Sequence, residues 1–296
     1  MGCYSTKRKP DRCRTHVERC SIIVGASRIS RLRIWSNARV ELQTNLQSRE
    51  AITEHLKTAL EGLYSTDAVA SEIDGSREAA LELLAAFAAR GYGKRNFVDA
   101  RTSRLSAYLR HGVLSVTEVA AHVKRHAAGR ERDEFLKQLT WREFFNLVLE
   151  QEGAGTLQNL EPPKYAVRWQ AELPDDIRNG ETGLPCVDAW VTRLVTENYL
   201  HNHERLWFAA YVTHFRRVDW KAGWDFFREH LLDGDIASNA LSWQWVASTF
   251  SNKPYFMNQE NIAKYSDHRW CATCRVSCPF RKSYETLERE LFGTTF

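Results

Sequence analysis

Residues 182–220 read TGLPCVDAWVTRLVTENYLHNHERLWFAAYVTHFRRVDW, and this run decides the fold class. Val187, Trp190, Val191, Leu194 and Val195 recur at three- and four-residue spacing, as do Leu206, Ala210 and His214, so each set falls on one face of a helix. The spacing predicts packed helices. A polar knot, His201, Asn202, His203 and Arg205, interrupts an otherwise apolar helix. Burying such groups costs free energy unless each is paired, so a ligand is a reasonable partner and a hydrated surface patch is the alternative. Two histidines two residues apart do not share a helix face, which argues against a zinc pair.

Upstream, residues 76–90 read SREAALELLAAFAAR, rich in good helix formers, with Ser76 placed as an N-cap and Glu78 close behind it. Strand-like alternation is scarce, and there is no βαβ rhythm, no GxGxxG and no phosphate-loop motif, which argues against a Rossmann domain. Residues 153–183 lack periodicity and carry Pro162, Pro163, Pro174, Gly180 and Gly183, so they predict a long connecting loop, a kind of segment that is usually functional. The fold class expected is all-α, a multi-helix domain over residues 76–296, with residues 1–75 a basic, partly disordered N-terminal extension.

Composition sets the outer bounds. A chain of 296 residues with 43% apolar side chains has ample length to bury a core. No run approaches the roughly 18 apolar residues of a membrane span, and the early apolar stretch at 22–25 is too short for a signal peptide, so the chain reads as intracellular and cytoplasmic. The net charge is only +4, yet Lys7, Arg8, Lys9, Arg12, Arg14, Arg19, Arg28, Arg31, Arg33 and Arg39 crowd the first forty residues. Such an arm either lies along nucleic-acid phosphates or is simply solvated. Of seven cysteines, Cys3, Cys13 and Cys20 fall in that arm without a ligand rhythm, whereas Cys271, Cys274 and Cys278 form a tight CxxCxxxC. In an intracellular chain that spacing points to metal before disulfide.

Three further segments carry chemistry. Thr102, Ser103, Arg104, Leu105 and Ser106 place hydroxyls and free N–H groups at a helix start, which is either an anion site or an ordinary cap. Gln138, Trp141, Arg142 and Phe145 share one helical face, offering an amide, an aromatic plane and a cation able to stack on a base and pair with phosphate; plain core is the alternative. Asp233, Asp235 and Asn239 lead into Trp243, Gln244 and Trp245. The acids lack the pattern of a Ca²⁺ loop.

Together these segments, TSRLSAYL, QLTWREFF, TGLPCVDA, HNHER, DW and DGDIASN followed by WQW, resemble the FAD-binding domain of the photolyase and cryptochrome superfamily, in the family's order from about residue 76 to 255. The resemblance implies that Thr102, Ser103, Leu105 and Ser106 hold the FAD phosphates, with Arg142, Arg205 and Tyr92 near the cofactor. It implies that Asp233 and Asp235 bind the flavin and ribose side, and that Asn239 faces flavin N5. Trp243, Trp220 and Trp169 match the family's tryptophan chain, along which an electron hops to the excited flavin. The protein then supplies placement while the cofactor supplies the chemistry.

For substrate, the resemblance implies damaged DNA with a flipped-out base, clasped by Trp141 and Trp245. Asn202 stands where the (6-4) class has histidine, which leans toward cyclobutane dimers, whereas Gln138 and Leu206 replace a glutamate and a methionine usual in that class. The C-terminal run resembles iron–sulfur members of the superfamily, with Cys186 as a fourth ligand beside Cys271, Cys274 and Cys278. A 4Fe-4S cluster, a Cys₄ zinc site and free thiols all remain open. A basic segment of about 75 residues stands in place of the family's α/β antenna domain. Either the flavin absorbs light directly or a separate antenna protein supplies it. A light sensor without repair, or a nucleic-acid-binding module without photochemistry, would use the same residues.

Overall fold

At most helix starts among the described residues a polar side chain satisfies a free backbone N–H of the first turn. A computed structural model describes residues 43, 45, 46, 48–62, 71–100 and 102–293; the ten basic residues of the arm, with Cys3, Cys13 and Cys20, lie outside them, as does most of the extension expected to be partly disordered. Among the described residues the α-helices are α1 (Arg49–Ala59), α2 (Arg77–Ala86), α3 (Ser106–Arg110), α4 (Val116–His126), α5 (Gly129–Glu152) and α6 (Asp175–Arg178). They continue as α7 (Pro185–Glu197), α8 (Asn202–Ala210), α9 (Trp220–His230), α10 (Ile236–Ala247), α11 (Gln259–Tyr265) and α12 (Tyr284–Phe292). Ser48, Ser76, Ser115, Asn258 and Ser283 each accept the N–H of the residue three positions on, at the heads of α1, α2, α4, α11 and α12. The β-type pairing among the described residues is a single parallel bridge, Gln170 with Val218.

The architecture is all-α, as the periodicity predicts, with two departures. The helix read over 76–90 stops at Ala86, because Phe87 leaves the helical region (φ −91°, ψ 104°) and buries its ring against Phe135 at 4.7 Å. The polar knot at 201–205 does not interrupt a helix. Asn198 takes a left-handed conformation (φ 53°) that ends α7, and His201 begins α8 in a capping box in which Glu204 returns to accept the His201 N–H. Val187, Trp190, Val191 and Leu194 are buried as expected, whereas Val195 is exposed.

Two apolar clusters organise the chain. The larger draws on α7, α8, α9 and α10 with Trp190, Trp207, Phe208, Trp220, Trp224, Phe227 and Trp243; the smaller gathers Leu84, Phe87, Tyr92, Leu105, Tyr108, Val119, Val123, Phe135 and Leu139 from α2 to α5. α5 belongs to both neighbourhoods, packing on α4 and on α10. The long loop predicted over 153–183 is largely irregular, and it is tied down by Gln244: this fully buried amide donates to the Thr156 carbonyl at 2.8 Å and accepts the Leu160 N–H at 2.9 Å.

Beyond α8 the chain continues as a π-turn, Tyr211–Phe215, that carries His214 into the core. Nδ1 of His214 pairs with the Tyr165 hydroxyl at 2.7 Å and Nε2 with the Val246 carbonyl at 3.0 Å, so a neutral ring protonated on Nε2 satisfies both. Burial pushes its pKa down to about 3. Because the folded value lies below the unfolded value near 6.5, the ring's stabilising effect is complete above pH 6.5 and is lost as pH falls toward 3. At pH 5 this one ring lowers the unfolding free energy by about 2 kcal/mol relative to pH 7.5. NMR titration of the His214 ring protons is expected to show no protonation between pH 8 and 5; a transition near 6.5 would contradict the assigned environment.

Candidate functional site

α3, α5, α8 and α10 converge on a cavity of about 820 Å³. Phe135 and Leu139 anchor the first half of α5 in the smaller core, while Gln138, Trp141, Arg142 and Phe145 line the cavity. From α8 come Asn202, Arg205, Leu206 and Ala209, whose spacing is that of one helical face. Asn239, Trp243 and Trp245 come from α10, Asp233 and Asp235 from the turn before it, and Ser106 from the head of α3. Residues scattered over 140 positions of sequence thus meet around one space.

Two ion pairs hold the acidic turn. Arg142 on α5 donates to Asp235 Oδ2 at 3.2 Å, and Arg205 on α8 donates to Asp233 Oδ2 at 2.9 Å. Asp235 also caps α10, accepting the Ser238 N–H at 2.8 Å, and its carbonyl accepts the Asn239 amide at 3.0 Å. Asp233 is only 6% exposed. Burial alone raises its carboxyl, but the Arg205 guanidinium and the Ser106 hydroxyl outweigh that and hold it below the usual carboxylate range. Its second oxygen, Oδ1, is buried without a hydrogen-bond partner. An unpartnered buried carboxylate oxygen is costly, and Asp233 lines a cavity rich in further donors and acceptors, which suits a polar ligand bound against this wall.

The tryptophans lie at graded depth. Trp243 packs edge-on against Phe227 at 5.1 Å and Phe208 at 6.2 Å, and its ring lies over Gly223 of α9. Trp220 stands one turn before Gly223 on the same helix, fully buried, its indole N–H donating to Asn159 at 2.7 Å. Trp169 borders the same core, and the adjacent Gln170 accepts the Asp219 N–H at 2.9 Å, which joins the loop carrying Trp169 to the start of α9. At the cavity rim the rings face outward: Trp141 is 46% exposed and Trp245 42%.

Of the residues expected in the site, Tyr92, Thr102, Ser103 and Leu105 are not part of the cavity lining. Tyr92 packs on Phe87 and Phe135, Thr102 pairs with the Tyr199 hydroxyl at 3.3 Å, Ser103 accepts the Leu105 N–H, and Leu105 is fully buried in the smaller core. Cys186 is buried in the first turn of α7, and Cys271, Cys274 and Cys278 are half-buried free thiols. Burial, then the nearby Cys278 and Cys271, push the Cys186 thiol up to about 12. Among the described residues no three His, Cys, Asp or Glu side chains are arranged to hold a metal ion, so these four cysteines stand near one another without forming a coordination shell. Sequence reading missed Phe250, Ser251 and Asn252, which also line the cavity. Ser248 adopts φ 64° after α10 and turns the chain back so that Phe250 stacks on Phe144 at 6.4 Å.

Residues 135–282 match the family model described as the FAD binding domain of DNA photolyase. The deoxyribodipyrimidine photo-lyase of Halobacterium salinarum is 36% identical over 166 residues, covering 52% of this chain and 34% of that protein. That of Streptomyces griseus is 37% identical over 148 residues, covering 50% and 32%. Among solved structures, a bacterial class III photolyase from Agrobacterium tumefaciens superposes with TM-score 0.53 at 32% identity, covering 58% of this chain and 38% of that one. The chain spans about a third of the length of these curated relatives.

The seat of Trp243 is testable in its own right. A Cβ on Gly223 would stand 2.2 Å from Cη2 of the indole, which Phe208 and Phe227 prevent from retreating. Gly223→Ala is expected to lower the unfolding free energy by about 1–3 kcal/mol and to alter the near-ultraviolet circular dichroism of the tryptophans. Unchanged urea midpoint and spectrum would show that the ring is not held as described.

Proposed function

The chain belongs to the family of the FAD-binding domain of DNA photolyase, and on that premise we propose that it holds one FAD in the cavity between α5, α8 and α10 and uses light-driven electron transfer to repair pyrimidine dimers in DNA. The observation that carries this reading is the buried Asp233 carboxylate, fixed by Arg205 on one oxygen and unpartnered on the other, at the wall of a cavity large enough for a dinucleotide. Arg142, Arg205, Asp233, Asp235 and Asn239 would hold the cofactor's polar edges, with Ser106 toward its phosphates. When bound, FAD supplies light absorption and one-electron chemistry.

The remaining steps belong to the chain's own residues. Trp243, against the cavity, is the first electron donor, and Trp220 and Trp169 lead outward from it. The Nε1 of Trp243 has no hydrogen-bond partner, so an electron vacancy there has no local base to take its proton and moves on. Trp141 and Trp245 at the rim supply faces for a flipped-out lesion, and Asn202 and Gln138 supply polar contacts inside. DNA is therefore the expected partner, and a separate antenna protein is compatible with direct absorption by FAD.

A thiolate metal centre is a second proposal, favoured by Cys271 and Cys278 lying close enough to Cys186 to raise its thiol. The four side chains would have to close around an ion or cluster, so no step here is routed through one.

Anaerobic purification followed by absorption spectra before and after blue light with a reductant tests both. Flavin bands that bleach on illumination are expected; their absence would overturn the main reading. Iron and zinc analysis, with a broad visible shoulder beyond the flavin bands, decides the thiolate centre. Trp243→Phe is expected to slow bleaching at least tenfold, and an unchanged rate would remove Trp243 from the path. Loss of cyclobutane dimers from irradiated oligothymidylate under light is expected of the wild type; light-dependent bleaching without dimer loss favours a light sensor.

A further inference from the structure

α4 carries a pair of imidazoles that no role described above uses. Val119 and Val123 turn one face of this helix into the smaller core. His122 and His126 stand beside that face, and a separation of four residues places one ring directly above the other along the helix. Their ring centroids lie 4.4 Å apart, with the planes tilted by 36°. His126 is exposed on the last turn, whereas His122 is half-buried. The Nε2 of His122 is closed off from solvent and has no hydrogen-bond partner.

We propose that His122 and His126 chelate one divalent transition-metal ion of the Zn²⁺, Ni²⁺ or Cu²⁺ class, with water completing its coordination shell. A buried ring nitrogen without a partner forfeits a bond on folding, and either a proton donor or a Lewis acid restores it. The nearest cation along the helix is already engaged, since Arg125 turns its Nε back to the Ala121 carbonyl at 3.3 Å. Neutral imidazole is the form that binds a metal. Burial, then the neighbouring His126, hold the His122 ring below the ordinary imidazole range, so a proton competes weakly for it. Metal–nitrogen bonds of about 2.0–2.1 Å require two ligand nitrogens about 3 Å apart. Rings whose centroids are 4.4 Å apart meet that requirement when the exposed His126 side chain turns, with the backbone unmoved.

The charges around the pair are mixed. Glu118, one turn before His122, is held by Arg77 at 2.6 Å, so it supplies no third ligand and the protein offers two nitrogens. Lys124 and Arg125 add positive charge, and the C-terminal end of α4, where the helix dipole favours a cation, counters it. Two imidazoles without a carboxylate or thiolate prefer copper to nickel and zinc and have little affinity for magnesium or calcium. The site is separate from the cavity and from the four cysteines, and it does not depend on the FAD reading.

The test adds zinc chloride to the full chain as purified and follows the long-range proton–nitrogen NMR correlations of the histidine rings. The signals of His122 and His126 are expected to move together and to saturate, and the urea midpoint to rise with zinc. His126→Ala, at the surface, is expected to leave the zinc-free midpoint unchanged and to weaken the zinc-dependent shift of the His122 ring at least tenfold. His122→Ala is expected to do the same to the His126 ring. The Cys271→Ser protein separates this site from the thiols, and both ring shifts are expected to persist in it. Rings that stay still while zinc raises the midpoint would assign the metal to the cysteines and overturn the proposal. So would a His122 shift that survives His126→Ala, or magnesium acting as well as zinc.

Discussion

A carboxylate taken out of water is the constraint on which the site depends. Asp233 is almost wholly buried, and a lone charge in that position would cost several kcal/mol without a partner. Arg205 supplies that partner from α8, and Arg142 from α5 holds the neighbouring Asp235, so the turn before α10 is clamped from two helices. The clamp places Asp235 where it caps α10, which in turn orients Asn239 and Trp243 toward the cavity and Trp245 toward its rim. One oxygen of Asp233 is left unspent. A fold that maintains such a charge beside an open space has its polar wall prepared before the ligand arrives, which lowers the reorganisation needed on binding.

Around this polar wall the remainder is aromatic, and the two kinds of surface do different work. The acids, arginines and amide fix position and charge, while indole rings pack behind and beside them. Gly223 shows how closely the second kind is built: the absence of a side chain there is what lets the Trp243 ring lie on α9, one turn from Trp220. Gln244, between the two cavity-facing tryptophans in sequence, points the other way and secures the loop 153–163 to α10. The WQW run thus alternates cavity, scaffold, cavity.

Much of this was readable from the residues. Helical periodicity gave α7, Ser76 marked the head of α2, and the polar residues of four separated segments, including Ser106, Arg142, Arg205 and Asp235, do meet around one cavity. What escaped reading has local causes. The break at Asn198 depends on a left-handed backbone that nothing in an apolar pattern announces, so the polar run after it looked like the middle of a helix when it is a buried helix start. Phe250, Ser251 and Asn252 reach the cavity only because Ser248 reverses the chain, a tertiary event without periodic signal. Of the segment 102–106, Thr102 pairs with the distant Tyr199, Ser103 with its own loop, and Leu105 fills the smaller core, while Ser106 stands on the cavity wall.

The central claim is that the clamped acidic turn and its cavity take up one FAD, and direct titration addresses it most closely. Flavin-free protein, titrated with FAD and followed by flavin fluorescence and by calorimetry, is predicted to bind one equivalent saturably, with FMN binding at least tenfold more weakly because it lacks the adenosine half. The Asp233→Ala protein, folded by circular dichroism, is predicted to lose that binding at least tenfold. Absence of saturable FAD binding by the wild-type chain, or equal binding by Asp233→Ala, would contradict the account.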